Sequence, residues 1–541
     1  MKLALAQLNY CVGDFSGNTK KIIEAARQAQ DADLVIFSEL ALCGYFPFDL
    51  LKYDDFITRC ESSLREIAEQ CFDIPILVGT PMMCDSDNGR SLCNAAVFLY
   101  KGSRQVFVKK FLNDSPLSDE RPYFDAGNDN SLLLHRGMRI AVTLGSDLDS
   151  HGADALLMEN RMDELVADQP NFIINMAASV FDYTMPKRRR DVLRQTVLKY
   201  GIPLIFVNQV GAQTDLIFDG ASVAFANNGR ICHSLPFFEE SVKMIETTSL
   251  FECCPSEDQQ VIPEKMALIH DALVLGVSDY FRKMNFKDAI IGLSGGLDSA
   301  LVTYFATRAL GAEHVNVVLL PSQFSTGHSV DDARNLAEKL GIHYDIVPIK
   351  PMYDVFEQQL EPLFKGRSFD VTEENIQARV RAVVLMAVGN KFNKILLNTS
   401  NKSEASVGYG TLYGDLCGGL CVIGDIYKSE AFELARYINR EEEIIPWHTI
   451  NKAPSAELRP DQKDTDSLPD YGLLDQILYQ YNECSKDVDS IIAMGFEKDI
   501  VRKVVGLVQR NEFKRHQVAP ILRVSPRAFG VERLIPIVAR F

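Results

Sequence analysis

Residues 289–306 read AIIGLSGGLDSALVTYFA, which joins a strand pattern, a glycine-rich turn and a helix pattern in that order. The apolar strand AIIGL runs directly into the turn SGGLDS at residues 294–299. Such a turn between a parallel strand and a helix exposes backbone N–H groups beside a helix N-terminus, where phosphate binds readily. The stretch therefore predicts a phosphate-binding loop in an α/β domain.

The loop carries a carboxylate, Asp298, which would repel a bare phosphate and therefore indicates a magnesium ion between the two. It lacks the lysine of the Walker pattern. In this setting, SGG-x-DS resembles the pyrophosphate loop of the N-type ATP pyrophosphatases, which cleave ATP to AMP and pyrophosphate while adenylating a substrate. The alternative is a tight turn without a ligand.

Strand and helix patterns alternate outward from this loop. A helix over 264–281 precedes it, a helix over 330–340 follows it, and further strand patterns are VNVVLLP, YDIVPI and KILLNTS. This alternation is typical of a doubly wound parallel sheet.

Seven later segments indicate which family of ATP pyrophosphatases the chain resembles. They are residues 374–379 (ENIQAR), 396–404 (LLNTSNKSE), 407–415 (VGYGTLYGD), 424–428 (GDIYK), 454–460 (PSAELRP), 467–471 (SLPDY) and 514–517 (KRHQ). In this order they resemble the NAD synthetases over the whole second domain, which we assign to residues 262–541. The resemblance implies an ATP pyrophosphatase domain of the adenine nucleotide alpha hydrolase-like type, which amidates deamido-NAD through an acyl-adenylate.

The same resemblance implies a role for each matching residue. ATP would be bound by Ser294, Gly295, Gly296, Asp298, Ser299, Thr399, Lys428 and Ser455. Deamido-NAD would be bound by Asn375, Glu404 and Lys514, and magnesium by Asp298 and Glu404. For single members a structural role stays open, because Thr399 could simply end a strand and Lys514 could be a surface charge.

The first half of the chain also alternates apolar strands with amphipathic helices, and we assign residues 1–245 to one domain. Weak periodicity from about 241 to 262 indicates a linker. Glu39 at a strand end and Lys109 at the end of RQVFVK resemble the glutamate base and the lysine of nitrilase-type amidases. With DERPYF and FDGASVAF, this half resembles the glutaminase domain of glutamine-dependent NAD synthetases, which implies a four-layer α-β-β-α sandwich.

The third amidase element is missing. Where the family has a cysteine followed by Glu-Asp, this chain has Gly145 followed by Ser146, and Asp149 replaces the usual tryptophan. Glycine cannot form a thioester, so we expect lost glutamine hydrolysis and synthesis from free ammonia. Three interpretations of the domain stay open: a scaffold and oligomer interface, a recipient of ammonia from solution or a separate glutaminase, or an amidase using Ser146 as a displaced nucleophile.

Composition excludes some classes of function. A net charge of −17 argues against nucleic-acid binding, and no apolar run is long enough to span a bilayer. The N-terminus lacks the pattern of a signal peptide, so we expect a cytoplasmic enzyme. The 12 cysteines show no C-x-x-C pairing that would indicate zinc, and no role is evident for Cys417 and Cys421.

Several other classes of enzyme carry a similar phosphate loop. GMP synthetases, asparagine synthetases and tRNA-thiolating enzymes carry it, and a nucleotide-binding regulator with decayed catalysis is an alternative from another class. The amidase-like first half favours an NAD synthetase. The resemblance also implies a homo-oligomer with contacts between synthetase domains.

Overall fold

A computed structural model of the 541-residue chain describes residues 1–86, 89–128, 131–148, 162–251, 261–460 and 462–539. The chain forms two compact units, Met1–Pro263 and Glu264–Phe541. Each unit has its own buried apolar core, and each is described by itself.

The first unit contains two six-stranded sheets and a short hairpin. One sheet has the order β14-β1-β2-β3-β4-β5, the other has the order β13-β12-β9-β8-β7-β6, and β10 pairs with β11. The strands are β1 Lys2–Gln7, β2 Leu34–Ile36, β3 Ile76–Ser86, β4 Gly89–Tyr100, β5 Ser103–Val108, β6 Leu133–His135, β7 Met138–Leu144, β8 Phe172–Ala177, β9 Leu204–Asn208, β10 Val210–Gln213, β11 Leu216–Asp219, β12 Val223–Phe225, β13 Ile231–Ser234 and β14 Ser241–Glu246.

Helices cover the outer face of each sheet. The helices are α1 Phe15–Gln28, α2 Asp54–Gln70, α3 at residues 162–167 and α4 Met185–Tyr200. One apolar cluster joins α1 and α2 to the first sheet, another joins α3 and α4 to the second sheet, and a third fills the space between the sheets. The unit is therefore a four-layer α-β-β-α sandwich, and this part of the predicted fold class is confirmed.

The linker begins later in the chain than the sequence analysis predicts. Residues Ser241–Glu246 form β14, which pairs antiparallel with β1 from Lys2↔Glu246 to Gln7↔Ser241. The strand was missed because its charged residues Lys243 and Glu246 obscure the alternation and because its partner lies at the other end of the unit. Of the predicted linker, residues 252–260 lie outside the described residues.

The second unit is built on a parallel five-stranded sheet with the order β17-β16-β15-β18-β19. The strands are β15 Asp288–Gly292, β16 Val315–Leu319, β17 His343–Ile346, β18 Lys394–Asn398 and β19 Leu420–Cys421. The helices are α5 Lys265–Lys283, α6 Leu297–Leu310, α7 Gly327–Leu340, α8 Lys350–Phe364, α9 Val371–Phe392, α10 Lys402–Val407, α11 Lys428–Ile438, α12 Trp447–Asn451, α13 Tyr471–Asn482, α14 Val488–Ala493, α15 Lys498–Arg510 and α16 Glu512–Arg515.

The order of the strands creates a crevice at the carboxyl end of the sheet. The chain runs outward from β15 to β16 and β17 and then returns past β15 to form β18 on its other side. Ligands of open α/β sheets bind at such a switch point. Both the turn after β15, residues 294–296, and the turn after β18, residues 399–401, lie there. The predicted doubly wound parallel sheet is confirmed.

Among the helices of the described ranges, none is long and apolar enough to cross a lipid bilayer.

Candidate functional site

The loop after β15 is shaped by one glycine. Gly295 has a φ of +80°, and a Cβ built on it would lie 2.1 Å from the carbonyl oxygen of Ser329. Only glycine fits this close backbone contact. Ser299 Oγ donates to the carbonyl oxygen of Gly296 at 3.0 Å and lies 3.1 Å from Ser294 Oγ, which ties the turn to the first turn of α6.

A cavity of about 310 Å³ opens beside this loop. It is lined by most of the residues that the sequence analysis assigned to ATP and magnesium. These are Ser294, Gly296, Asp298, Ser299, Thr399, Glu404, Lys428 and Ser455. The switch point thus brings together side chains from four separate motifs, although Ser455 Oγ is already bonded to the carbonyl oxygen of Gln462 at 2.6 Å.

Opposite charges lie side by side in the lining of the cavity. Lys428 Nζ forms an ion pair with Asp298 Oδ2. Burial by itself would lower the pKa of Lys428, but Asp298 and Glu404 outweigh it and raise that pKa. Burial and the nearby charge of Asp298 raise the pKa of Glu404 well above its usual range. Because two carboxylates share one cation here, the site favours additional positive charge.

The donor set fits magnesium. Within the described ranges, no group of three or more His, Cys, Asp and Glu side chains is arranged to hold a metal ion. Magnesium needs fewer, because it is commonly bound through one or two carboxylates with the remaining positions taken by phosphate oxygens and water. Asp298 and Glu404, which both line the cavity and repel each other, meet that requirement.

Two residues assigned to deamido-NAD lie around a neighbouring turn, residues 408–411. Lys514 Nζ donates to the carbonyl oxygens of Gly408 and Gly410, both at 2.8 Å. Thr411 Oγ1 donates to Asn375 Oδ1 at 2.7 Å. Among the described residues, neither Asn375 nor Lys514 lines the cavity at the phosphate loop.

Sequence reasoning missed two residues near the cavity. Arg381 lines it, its Nε donates to the carbonyl oxygen of Leu320 at 3.1 Å, and burial lowers its pKa to about 10. Asn401 donates through Nδ2 to Asp298 Oδ1 at 3.1 Å. Arg381 lies just after the motif ENIQAR, and Asn401 lies inside LLNTSNKSE. The sequence does not show where either side chain points.

The first unit buries a separate charged cluster. Lys109 Nζ lies 2.6 Å from Glu39 Oε1 and 2.7 Å from Glu120 Oε2, and Asn94 Nδ2 donates to both carboxylates at 2.8 Å. Glu39 and Lys109 therefore meet as predicted from two distant strand ends. The sequence analysis did not single out Glu120, although it lies in the motif DERPYF.

The charged groups of this cluster shift one another's pKa. Burial, opposed by Lys109 and reinforced by Glu120, raises the pKa of Glu39 to about 7. Burial alone would lower the pKa of Lys109, but Glu120 and Glu39 outweigh it and raise that pKa. Lys109 therefore stays protonated at neutral pH, while Glu39 is poised to exchange a proton.

Gly145 faces this cluster. It has a φ of +42°, and a Cβ built on it would lie 2.5 Å from Glu39 Oε2 and 3.0 Å from Lys109 Nζ. Any side chain at this position would therefore point between the glutamate and the lysine. The next residue turns elsewhere, because Ser146 Oγ donates to the carbonyl oxygen of Phe111 at 2.7 Å. Asp149, the predicted replacement of a tryptophan, lies outside the described residues.

Comparison with known proteins gives both units a family. Residues 2–249 match the carbon-nitrogen hydrolase family, and residues 269–518 match the NAD synthase family. A glutamine-dependent NAD(+) synthetase from Synechocystis sp. is 41% identical over 100% of this chain and 99% of its own length. The chain belongs to the glutamine-dependent NAD(+) synthetase family.

Solved structures of this NAD(+) synthetase family agree with the fold. The Acinetobacter baumannii protein, solved in complex with ADP, is 36% identical, with 99% of this chain and 98% of that chain covered and a TM-score of 0.76. The Cytophaga hutchinsonii protein shares the fold at 20% identity, with 100% and 98% covered and a TM-score of 0.83. The predicted NAD synthetase family is confirmed. The predicted preference for free ammonia is not supported by these comparisons, because the relatives are named glutamine-dependent NAD(+) synthetases.

Proposed function

We propose that this chain amidates deamido-NAD to NAD while converting ATP to AMP and pyrophosphate. The observation that carries the proposal is the cavity in which the phosphate loop, the lysine and the two carboxylates of distant motifs converge. A membership of the NAD synthetase family and a relative solved with ADP support the same assignment.

In the proposed reaction, the main task of the protein is to stabilise negative charge on the phosphates of ATP. A carboxylate repels nucleophiles, so it first attacks the α-phosphorus of ATP to give an acyl-adenylate, and ammonia then displaces AMP. Lys428 and the backbone N–H groups of the loop at 294–297 would stabilise the negative charge that grows on the phosphates. Ser294, Ser299, Thr399 and Ser455 would orient the nucleotide, and Asn375, Glu404 and Lys514 would orient deamido-NAD.

Asp298 and Glu404 are the residues that would hold magnesium. When bound, magnesium would neutralise charge on the pyrophosphate leaving group. Lys428 forms an ion pair with Asp298, so its ammonium would lie beside any ion held there and add positive charge for the same phosphates.

For the nitrogen source we propose free ammonia. An amidase of this type needs a nucleophile between the glutamate and the lysine, and the backbone at Gly145 points into that space without a side chain. Ser146 is a poor substitute, since its hydroxyl donates to the carbonyl oxygen of Phe111 and a serine needs a positioned base. The first unit would then serve as a scaffold.

The second candidate is glutamine as the nitrogen source, and the comparisons favour it. Relatives that match the whole chain are named glutamine-dependent NAD(+) synthetases. Two routes would reconcile that name with Gly145: a non-standard nucleophile in the first unit, or a separate glutaminase partner that supplies ammonia.

One assay separates the two. Purified protein receives ATP, magnesium and deamido-NAD with either ammonium or ammonia-free glutamine, and NAD and pyrophosphate are both measured. NAD from ammonium alone supports the free-ammonia proposal. NAD from glutamine as well, persisting after repurification, contradicts it, and no NAD from either source contradicts the proposed substrate.

We also propose that the chain self-associates through its second unit. Apolar side chains on α8 and α9 are exposed, with Leu363 71% and Val383 65% exposed. A run of exposed apolar residues on adjacent helices favours an interface, and a second copy of the same chain is the occupant we propose. Leu363→Asp and Val383→Asp are expected to shift the mass measured by light scattering toward the monomer; an unchanged mass would contradict the proposal.

A further inference from the structure

One buried asparagine contacts both of the carboxylates proposed to hold magnesium, one through its side chain and the other through its backbone N–H. Asn401 is fully buried, Nδ2 donates to Asp298 Oδ1 at 3.1 Å, and Oδ1 accepts from the backbone N–H of Glu404 at 2.9 Å. The backbone N–H of Asn401 in turn donates to Glu404 Oε2 at 3.3 Å. The two acidic side chains, which lie on α6 and α10, are thereby joined through a single residue.

The orientation of this amide follows from its partners. A carboxylate only accepts and a backbone N–H only donates, so the nitrogen of Asn401 must face Asp298 and its oxygen must face Glu404. The reverse orientation would place two acceptors and two donors in contact. The hydrogen bonds of Asn401 therefore fix the position of Asp298 relative to Glu404.

We propose that Asn401 is a positioning residue that sets the carboxylates of Asp298 and Glu404 for the metal-nucleotide complex. The inference rests on the proposed function of this site. Magnesium demands near-ideal coordination geometry, so a small displacement of either carboxylate would weaken its binding. Groups that orient metal ligands typically contribute about ten- to a hundredfold in metal affinity.

A simpler role would be capping alone. Asn401 is the N-cap of α10, and Glu404 completes a capping box with it. Serine is as good an N-cap as asparagine but has no second donor that could reach Asp298. Asn401→Ser therefore keeps the cap and removes the link to Asp298, whereas Asn401→Ala removes both.

The test measures binding rather than turnover. Manganese binding to the full chain is followed by electron paramagnetic resonance with ATP present and deamido-NAD absent, and ATP binding without metal is measured by calorimetry. For Asn401→Ser we expect the apparent Kd for manganese to rise about ten- to a hundredfold, with metal-free ATP binding within about twofold of the unsubstituted chain.

Three further results complete the test. Asp487→Ala removes the N-cap of α14, which is not part of the cavity lining, and is expected to leave manganese binding unchanged. If Asn401→Ser binds manganese like the unsubstituted chain while Asn401→Ala does not, the residue only caps the helix and the inference is wrong. If the unsubstituted chain itself binds no manganese with ATP, the proposed function fails instead.

Discussion

The carboxylate of Glu39 fills the space into which a side chain at Gly145 would project, with Oε2 only 2.5 Å from the position of a Cβ. Glu39 is held there from three directions: Lys109 and Asn94 donate to Oε1, and the backbone N–H of Ala178 donates to Oε2 at 3.3 Å. The cluster is thus closed around the glycine, and enlarging that residue must disturb it.

Gly145→Ala is therefore expected to lower the free energy of unfolding of the first unit by about 1–3 kcal/mol, because the methyl group must displace a buried carboxylate. Denaturant unfolding measures the change. Gly201→Ala is the matched control, since Gly201 also has a positive φ, +67°, but a Cβ there meets nothing within 4 Å. An equal loss in the free energy of unfolding for the two variants would contradict the proposed clash at Gly145. Ammonium-driven synthesis should survive in both.

The stability of the first unit should depend on the ionisation of Glu39. Its pKa is raised from 4.5 to about 7, mainly by burial, so its stabilising contribution is complete below about pH 4.5 and is lost as the pH rises through 7. Glu39→Gln cannot titrate. We expect the free energy of unfolding to fall less steeply between pH 4.5 and 7 in this variant; parallel curves for the two proteins would refute the raised pKa.

Asp298→Asn keeps the shape of the side chain and removes its charge. If Asp298 helps to hold magnesium against the ATP phosphates, kcat/KM for ammonium-driven NAD formation should fall by at least about a hundredfold. Asp354→Asn is the control, because Asp354 forms an exposed ion pair with Lys350 on α8. Near-normal activity in Asp298→Asn, with cooperative unfolding retained, would rule out the proposed role.

Lys402 is the first residue of α10, and its side chain ties the helix to two buried carboxylates. Its buried ammonium lies 2.8 Å from Asp425 Oδ1 and 2.5 Å from Glu483 Oε1. Lys402→Met leaves both carboxylates without their cation, and we expect the free energy of unfolding of the second unit to fall by about 3–5 kcal/mol. Lys350→Met, which breaks an exposed pair, should cost no more than about 1 kcal/mol in the same denaturant titration. A comparable cost for the two variants would contradict this account.

The sequence predicts the phosphate loop well because everything that defines it is local. Strand, glycine turn and helix follow one another over residues 289–306, and parallel order then places the loop at the carboxyl edge. Glu120 and Asn401 were missed because their importance lies in the partner they reach, Lys109 and Asp298 respectively. Such contacts depend on how distant segments pack, and a short motif does not encode their direction.

The pairing of β1 with β14 has a consequence for biosynthesis. Lys2 pairs with Glu246, which is synthesised much later than Lys2. Until that strand emerges, the edge of β1 is unpaired, and an unpaired edge invites association with other chains. Since pairing over such a long loop is slow, the first sheet stays incomplete until β14 has been synthesised, and chaperone protection of the unpaired edge would matter most in that period.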